Sequence, residues 1–221
     1  SAGERGLAGS ALAVLRIFFL RGVFRAFLLD KHARVWYDKK VWERFAFPGG
    51  IMNRTLIAPS ILSADFAAMG EAVKTLQKNG ADMIHCDVMD GTFVPAITFG
   101  AQMVSAIRPH TDLPLDVHLM CADPQNKIAD FVNAGADIVT VHAEACGGAL
   151  DDVLRGIRSY GVRCGVAVSP DTPLQKIGGS LERCDMLLIM SVHPGRGGQK
   201  LIERSRRPAV LGRQVQTATP W

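Results

Sequence analysis

The sequence predicts an α/β protein built as a (β/α)8-type barrel, and three observations lead there. From Thr55 onward, short apolar runs alternate with stretches of helical periodicity, the order that builds a parallel sheet from βα units. Ser60, Asp87, His118, His142, Ser169 and His193 each fall at the C-terminal end of such a run, where the closed barrel gathers its polar groups from several strands. The first run is followed by Ser60-Ile61-Leu62-Ser63-Ala64-Asp65, which has no glycine. An open, doubly wound nucleotide-binding sheet begins in the same way, but it carries a glycine-rich phosphate loop at that point.

The first unit pairs a strand over Leu56 to Leu62 with a helix that Ser63 or Asp65 caps; Phe66, Met69, Val73 and Leu76 lie at helical spacing, and Asn79-Gly80 ends it. The second strand spans Met83 to Met89, before a long loop through Pro95 and a helix from Ala101 to Ile107. Strand three is Leu115 to Met120, with a helix from Pro124 to Ala134 closed by Gly135. Strands four, five and six are Ile138 to His142, Val162 to Val168 and Met186 to Val192. A helix over Leu150 to Tyr160 and a short one near Leu174 to Ile177 lie between them. Gly80-Ala81-Asp82 and Gly135-Ala136-Asp137 recur between a helix and a strand, a shared αβ-loop solution that sets where each strand begins.

Charge divides the 221 residues into three pieces. Residues 1 to 51 hold nine Lys/Arg against four Asp/Glu, residues 52 to 199 eleven against sixteen, and residues 200 to 221 five against one. The net charge of +4 therefore belongs to the flanks. The acidic middle gives no electrostatic case for a nucleic-acid partner, which calls for a basic patch on the folded domain. Trp36, Trp42, Trp221 and six of the ten Phe also lie outside it.

The expected division is a basic, aromatic-rich extension over 1–51, a barrel domain over 52–205 and a basic tail over 206–221. Leu7 to Leu29 is interrupted by Arg16, Arg21 and Arg25, so no apolar run reaches the roughly 18 residues of a membrane span. That stretch reads as sequence upstream of the domain, or as a transit-type or membrane-surface amphipathic helix. Cys86, Cys121, Cys146, Cys164 and Cys184 are odd in number, form no C-x-x-C pair and sit in apolar runs. They read as buried thiols in a reducing, cytoplasmic setting rather than as nucleophiles.

Chemistry concentrates on two strands. Side chains alternate along a strand, so His85, Asp87 and Met89 share one face, as do Asp116, His118 and Met120. Two imidazoles and a carboxylate turned toward a common interior form a divalent-metal donor set. Four segments then carry a family resemblance: Ala58 to Phe66, His85 to Gly91, Asp116 to Met120, and His193-Pro194-Gly195-Arg196-Gly197-Gly198-Gln199-Lys200. In that order they resemble the ribulose-phosphate 3-epimerase family across residues 52–205.

The resemblance implies a TIM barrel of the ribulose-phosphate-binding type that interconverts D-ribulose 5-phosphate and D-xylulose 5-phosphate by moving a proton at C3. It implies His85, Asp87 and His118 as ligands of one divalent metal ion (zinc, iron, manganese or cobalt), with Asp87 also one of two acid/base carboxylates. Ser60 and His118 match substrate contacts, and Gly195, Arg196, Gly197 and Gly198 match part of the phosphate grip. Arg196 stands where the family has an aromatic residue. Met89, Met120 and Met190 match a hydrophobic cap, although methionines there also serve as core filler. His142 and Glu144 read as supporting polar residues. The implied partner is a phosphorylated ketose, and a homo-oligomer is left open.

After Lys200 the pattern departs. A complete member continues to a seventh strand ending in a Val-Asp-Gly-Gly type motif and an eighth with a glycine phosphate contact, whereas Leu201 to Trp221 contains no Asp. That Asp is the family's fourth metal ligand and its opposite-face acid/base. The expectation is a barrel truncated to about six βα units, with open parallel edges, a non-family N-terminal extension, and little or no turnover. Two other readings stand beside it: a sibling epimerase of a related ketose phosphate such as D-allulose 6-phosphate, and a non-catalytic metal-binding protein.

Overall fold

A computed structural model describes residues 56–202 together with the backbone at 14–18, 33–37, 209–210 and 213–214. The strands in chain order are β1 (Val14–Phe18), β2 (Ala33–Tyr37), β3 (Leu56–Pro59), β4 (Ile84–Met89), β5 (Leu115–Met120), β6 (Ile138–His142), β7 (Arg163–Val168) and β8 (Met186–Met190). β4 to β8 form one continuous parallel ladder in sequence order. β3 joins it through the parallel bridge between Ser60 and His85. Helices α1 (Met69–Lys78), α2 (Ala101–Ile107), α3 (Ile128–Asn133), α4 (Ala143–Cys146) and α5 (Leu150–Ser159) intervene. The result is a partial (β/α) TIM barrel, as the alternating pattern predicts.

Both edges that the sequence leaves open are taken. β1 runs antiparallel to β3 and parallel to β2, and β2 runs antiparallel to β8. The physical reason is the row of unpaired N–H and C=O groups that an edge strand presents. Val14–Phe18 is thus extended, not helical; the remainder of the Leu7 to Leu29 stretch lies outside the described residues. A short hairpin pairs β9 (Ala209–Val210) with β10 (Arg213–Gln214).

Side-chain alternation sorts the sheet into two layers. Outward positions such as Cys86, Val88, Val117, Leu119, Val139 and Val166 join the main core against the helices. α5 contributes Leu150, Val153, Leu154 and Ile157 to that core at i, i+3, i+4 and i+7, each burial stabilising by roughly 1.5–3 kcal/mol. Inward positions are apolar toward the base, where Leu56, Ala58, Ile138, Met186 and Leu188 cluster. Nearer the C-terminal ends they turn polar.

Three aspartates pin the N-terminal ends of the strands. Asp82 receives the Ile57 N–H on its carboxylate at 2.7 Å and returns its own N–H to the Ile57 carbonyl at 2.8 Å. Asp137 does the same to Leu115 at 2.8 and 3.0 Å, and Asp185 to Cys164 at 3.0 and 2.8 Å. The Gly-Ala-Asp echo thus has a structural cause, and Asp185 shares it without the glycine. Arg108 braces Asp137 at 2.9 Å and Arg158 braces Asp185 at 2.7 Å.

Several boundaries shift for local reasons. The first strand stops at Pro59 because the Ser60 hydroxyl accepts the Leu62 N–H at 3.1 Å and turns the chain into a 3-10 helix. Phe66 sits in a second 3-10 turn rather than on the α-helix; it is 41% exposed and packs edge-on to Phe99. The helix expected from Pro124 is a 3-10 turn followed, after Lys127, by α3.

Candidate active site

At the C-terminal end of the parallel strands lies a cleft that opens to solvent. Its wall takes His85, Asp87 and Met89 from β4, and His118 and Met120 from β5. The shared-face reading of both strands places these side chains together. His85 and His118 are 3% and 0% exposed.

The geometry centres on Asp87. Its Oδ1 lies 3.2 Å from His85 Nε2 and 3.0 Å from His118 Nδ1, while its Oδ2 accepts the Ser60 hydroxyl at 2.5 Å. The parallel register sets Asp87 opposite His118 and His85 opposite Asp116. His85 Nδ1 is committed to Asp116 Oδ2 at 2.7 Å, and Asp116 Oδ1 accepts the Thr140 hydroxyl at 2.8 Å. Asp116 and Thr140 are completely buried.

Charge follows from this packing. Burial alone would make His85 harder to protonate, but the carboxylates of Asp87 and Asp116 outweigh it and raise its pKa to about 10. Burial would raise the Asp87 pKa, yet the adjoining imidazoles of His85 and His118 hold it well below the usual carboxylate range. Burial dominates at His118 and lowers it to about 4, so that ring is neutral at pH 7.

These donors fit a divalent metal. One nitrogen from each imidazole and one Asp87 oxygen lie within 4.8 Å of one another. With Nδ1 donating to Asp116, a neutral His85 turns the lone pair of Nε2 toward an anionic oxygen, which is repulsive unless a cation intervenes. A proton on His85 supplies that cation, and a divalent ion held by the same three residues supplies it equally well.

The remaining predicted residues surround this centre. Met190 lines the cleft with Met89 and Met120; the latter two also cluster with Val94. Gly195, Arg196 and Gly197 also line the cleft, while Gly198 stands outside the lining. Gln199 braces this loop by donating from Nε2 to the carbonyls of His193 at 2.7 Å and Arg196 at 2.8 Å. Gly195 has φ +117, and a side chain there would press on Val94 at 3.2 Å.

A matching model of the ribulose-phosphate 3 epimerase family spans residues 56–213. The chain belongs to that family. Over 146 residues it is 55% identical to ribulose-phosphate 3-epimerase of Bacillus subtilis (strain 168), covering 66% of this chain and 67% of that one. It is 52% identical over 149 residues to the chloroplastic ribulose-5-phosphate-3-epimerase of Arabidopsis thaliana, covering 67% of this chain and 53% of the relative. The Synechocystis enzyme is 51% identical over 148 residues, covering 66% and 64%. This epimerase-family chain therefore spans between about half and two thirds of the length of these relatives.

Two supporting groups lay beyond the sequence reading. Asp116 was visible on the site face but had no part assigned to it, and Thr140 carried no signal at all. His142 stacks on His118 with ring centroids 5.0 Å apart and gives Nδ1 to Glu144 at 2.9 Å. Glu144 also accepts the Ser169 N–H at 2.7 Å and the Thr172 hydroxyl. Burial would raise the Glu144 pKa, but these donors bring it down to about 2. Among the residues lining the cleft, Asp87 is the single carboxylate. No helix among the described residues is long and apolar enough to cross a membrane.

Proposed function

We propose that this chain binds one divalent metal ion through His85, Asp87 and His118 and acts on D-ribulose 5-phosphate and D-xylulose 5-phosphate by proton transfer at C3. The observation that carries this is the convergence of both buried imidazoles on Asp87 Oδ1, while the Ser60 hydroxyl holds Asp87 Oδ2. When bound, the metal supplies Lewis-acid polarisation of the substrate oxygens, which stabilises an enediolate.

The depressed pKa of Asp87 makes it a carboxylate at pH 7, so it begins as the base. Ser60 holds it in place by hydrogen bonding. The Gly195 to Gly198 loop grips the phosphate through backbone N–H groups, and Arg196 adds a cation to that side. Met89, Met120 and Met190 keep water from the reacting carbon. The five cysteines, all free and buried, support a reducing, cytoplasmic setting.

Inversion at C3 needs an acid/base on each face of the carbon, and the described cleft supplies one. That observation favours a chain that binds metal and exchanges the C3 proton on one face while epimerising slowly. The test is zinc titration followed by incubation with D-ribulose 5-phosphate in deuterated water. The expected result is one zinc per chain and deuterium entry at C3 that outpaces conversion to D-xylulose 5-phosphate. Absence of both zinc binding and exchange refutes the reading; conversion as fast as exchange refutes the one-faced part of it.

A further inference from the structure

We infer that Asp116, held by Thr140, is a positioning residue that fixes the ring and tautomer of His85 and so sets how tightly the site holds a divalent metal; this rests on the metal-binding part of the function proposed above. Aspartates elsewhere in the barrel show what a purely architectural carboxylate does. Asp82, Asp137 and Asp185 lie ahead of their strands and accept a backbone N–H from a neighbouring strand. Asp116 lies within β5 and spends its two oxygens on side chains, Oδ2 on His85 and Oδ1 on Thr140. It is 0% exposed, a place where a carboxylate is costly unless its oxygens are hydrogen-bonded.

The arrangement has a directional consequence. With Nδ1–H donating to Asp116, it is Nε2 of His85 that faces Asp87 and the cleft, and in the neutral ring that nitrogen carries the lone pair. A carboxylate on the far nitrogen also makes the near nitrogen a stronger donor to a metal. Thr140 reaches in from β6, so three adjacent strands hold one ring in place. Its hydroxyl occupies the second Asp116 oxygen and stops the carboxylate from swinging off His85.

The experiment uses the full chain with zinc alone as the probe. Zinc affinity is measured by competition with a chromophoric chelator for the natural protein, Asp116→Ala, Asp116→Asn, Thr140→Val and His85→Ala, with circular dichroism confirming the fold. Asp116→Ala is expected to weaken zinc binding by roughly 10–100-fold. Asp116→Asn keeps an oxygen for Nδ1–H and recovers part of that loss, and Thr140→Val weakens binding less than Asp116→Ala. In NMR spectra the His85 Nδ1 proton is expected as a slowly exchanging, downfield resonance in the natural protein, absent in Asp116→Ala.

A folded Asp116→Ala that binds zinc like the natural protein, beside a His85→Ala that does not, overturns the inference. If Asp116→Ala does not fold, natural zinc affinity in both Asp116→Asn and Thr140→Val overturns it. If the natural protein binds no zinc, the proposed function fails, and the Nδ1 proton still decides whether Asp116 orients His85: its presence supports that orientation and its absence overturns it.

Discussion

Replacing Gly165 with alanine should unsettle the proposed metal site without touching any residue that faces the cleft. Gly165 lies in β7 in register with Thr140 on one side and Met186 on the other. A Cβ there would stand 2.3 Å from Thr140 Oγ1, 2.8 Å from Met186 Cε and 3.0 Å from Thr140 Cβ. The Met186 methyl can swing aside. Thr140 is fully buried, β-branched and tied by its hydroxyl to Asp116, so it has to move with a consequence.

Overpacking of this kind costs about 1–3 kcal/mol, against a gain of about 0.4–1 kcal/mol from stiffening the unfolded chain. The net loss of about 1–2 kcal/mol corresponds to a fall in Tm of roughly 2–8 °C for a chain of this size. Zinc affinity should fall in the same direction as for Thr140→Val. Thermal melts followed by circular dichroism and chelator competition read both quantities. In a Thr140→Ala background the Gly165→Ala penalty should shrink, because the obstructing hydroxyl is gone. A Gly165→Ala protein with unchanged Tm and unchanged zinc affinity would refute the reasoning.

The metal-free protein should lose stability as pH rises from 6.5 toward 10, because a His85 pKa raised to about 10 contributes fully below 6.5 and is lost as that proton leaves; urea midpoints across the window check it. Acid has the opposite partner: His118, lowered to about 4, favours the folded state above 6.5 and loses that contribution as pH falls toward 4, so zinc-free midpoints should also drop there. Glu144→Ala should cost about 1–3 kcal/mol by leaving His142 Nδ1 and the Ser169 N–H without their acceptor. Faster hydrogen exchange at Ser169, with β4 amides unaffected, is the expected signature.

The parallel strands were legible because each carries one apolar and one mixed face, a period-2 signal that survives without any neighbour. The same signal brought His85, Asp87 and His118 together. What escaped was set by partners distant in the chain. Thr140 reads as an ordinary strand former, and its bond to Asp116 spans 24 residues. The ends of the first strand and of the Pro124 helix depend on a serine hydroxyl and on a 3-10 turn, each a competition within one or two residues. The pairing of β1 and β2 with the barrel edges is decided by the edges and not by the local pattern of Val14–Phe18 or Ala33–Tyr37.

The basal aspartates divide the barrel wall into two-strand tiles. Asp82 locks β3 to β4, Asp137 locks β5 to β6, and Asp185 locks β7 to β8. His85 belongs to the first tile and His118 to the second, so the proposed metal centre straddles a seam that no basal carboxylate closes among the described residues. A divalent ion bound there acts as a clip across that seam, stabilising the joined state by mass action. Its footprint in hydrogen exchange should therefore follow the β4–β5 boundary, slowing the concerted opening of two folding units rather than the fraying of either one.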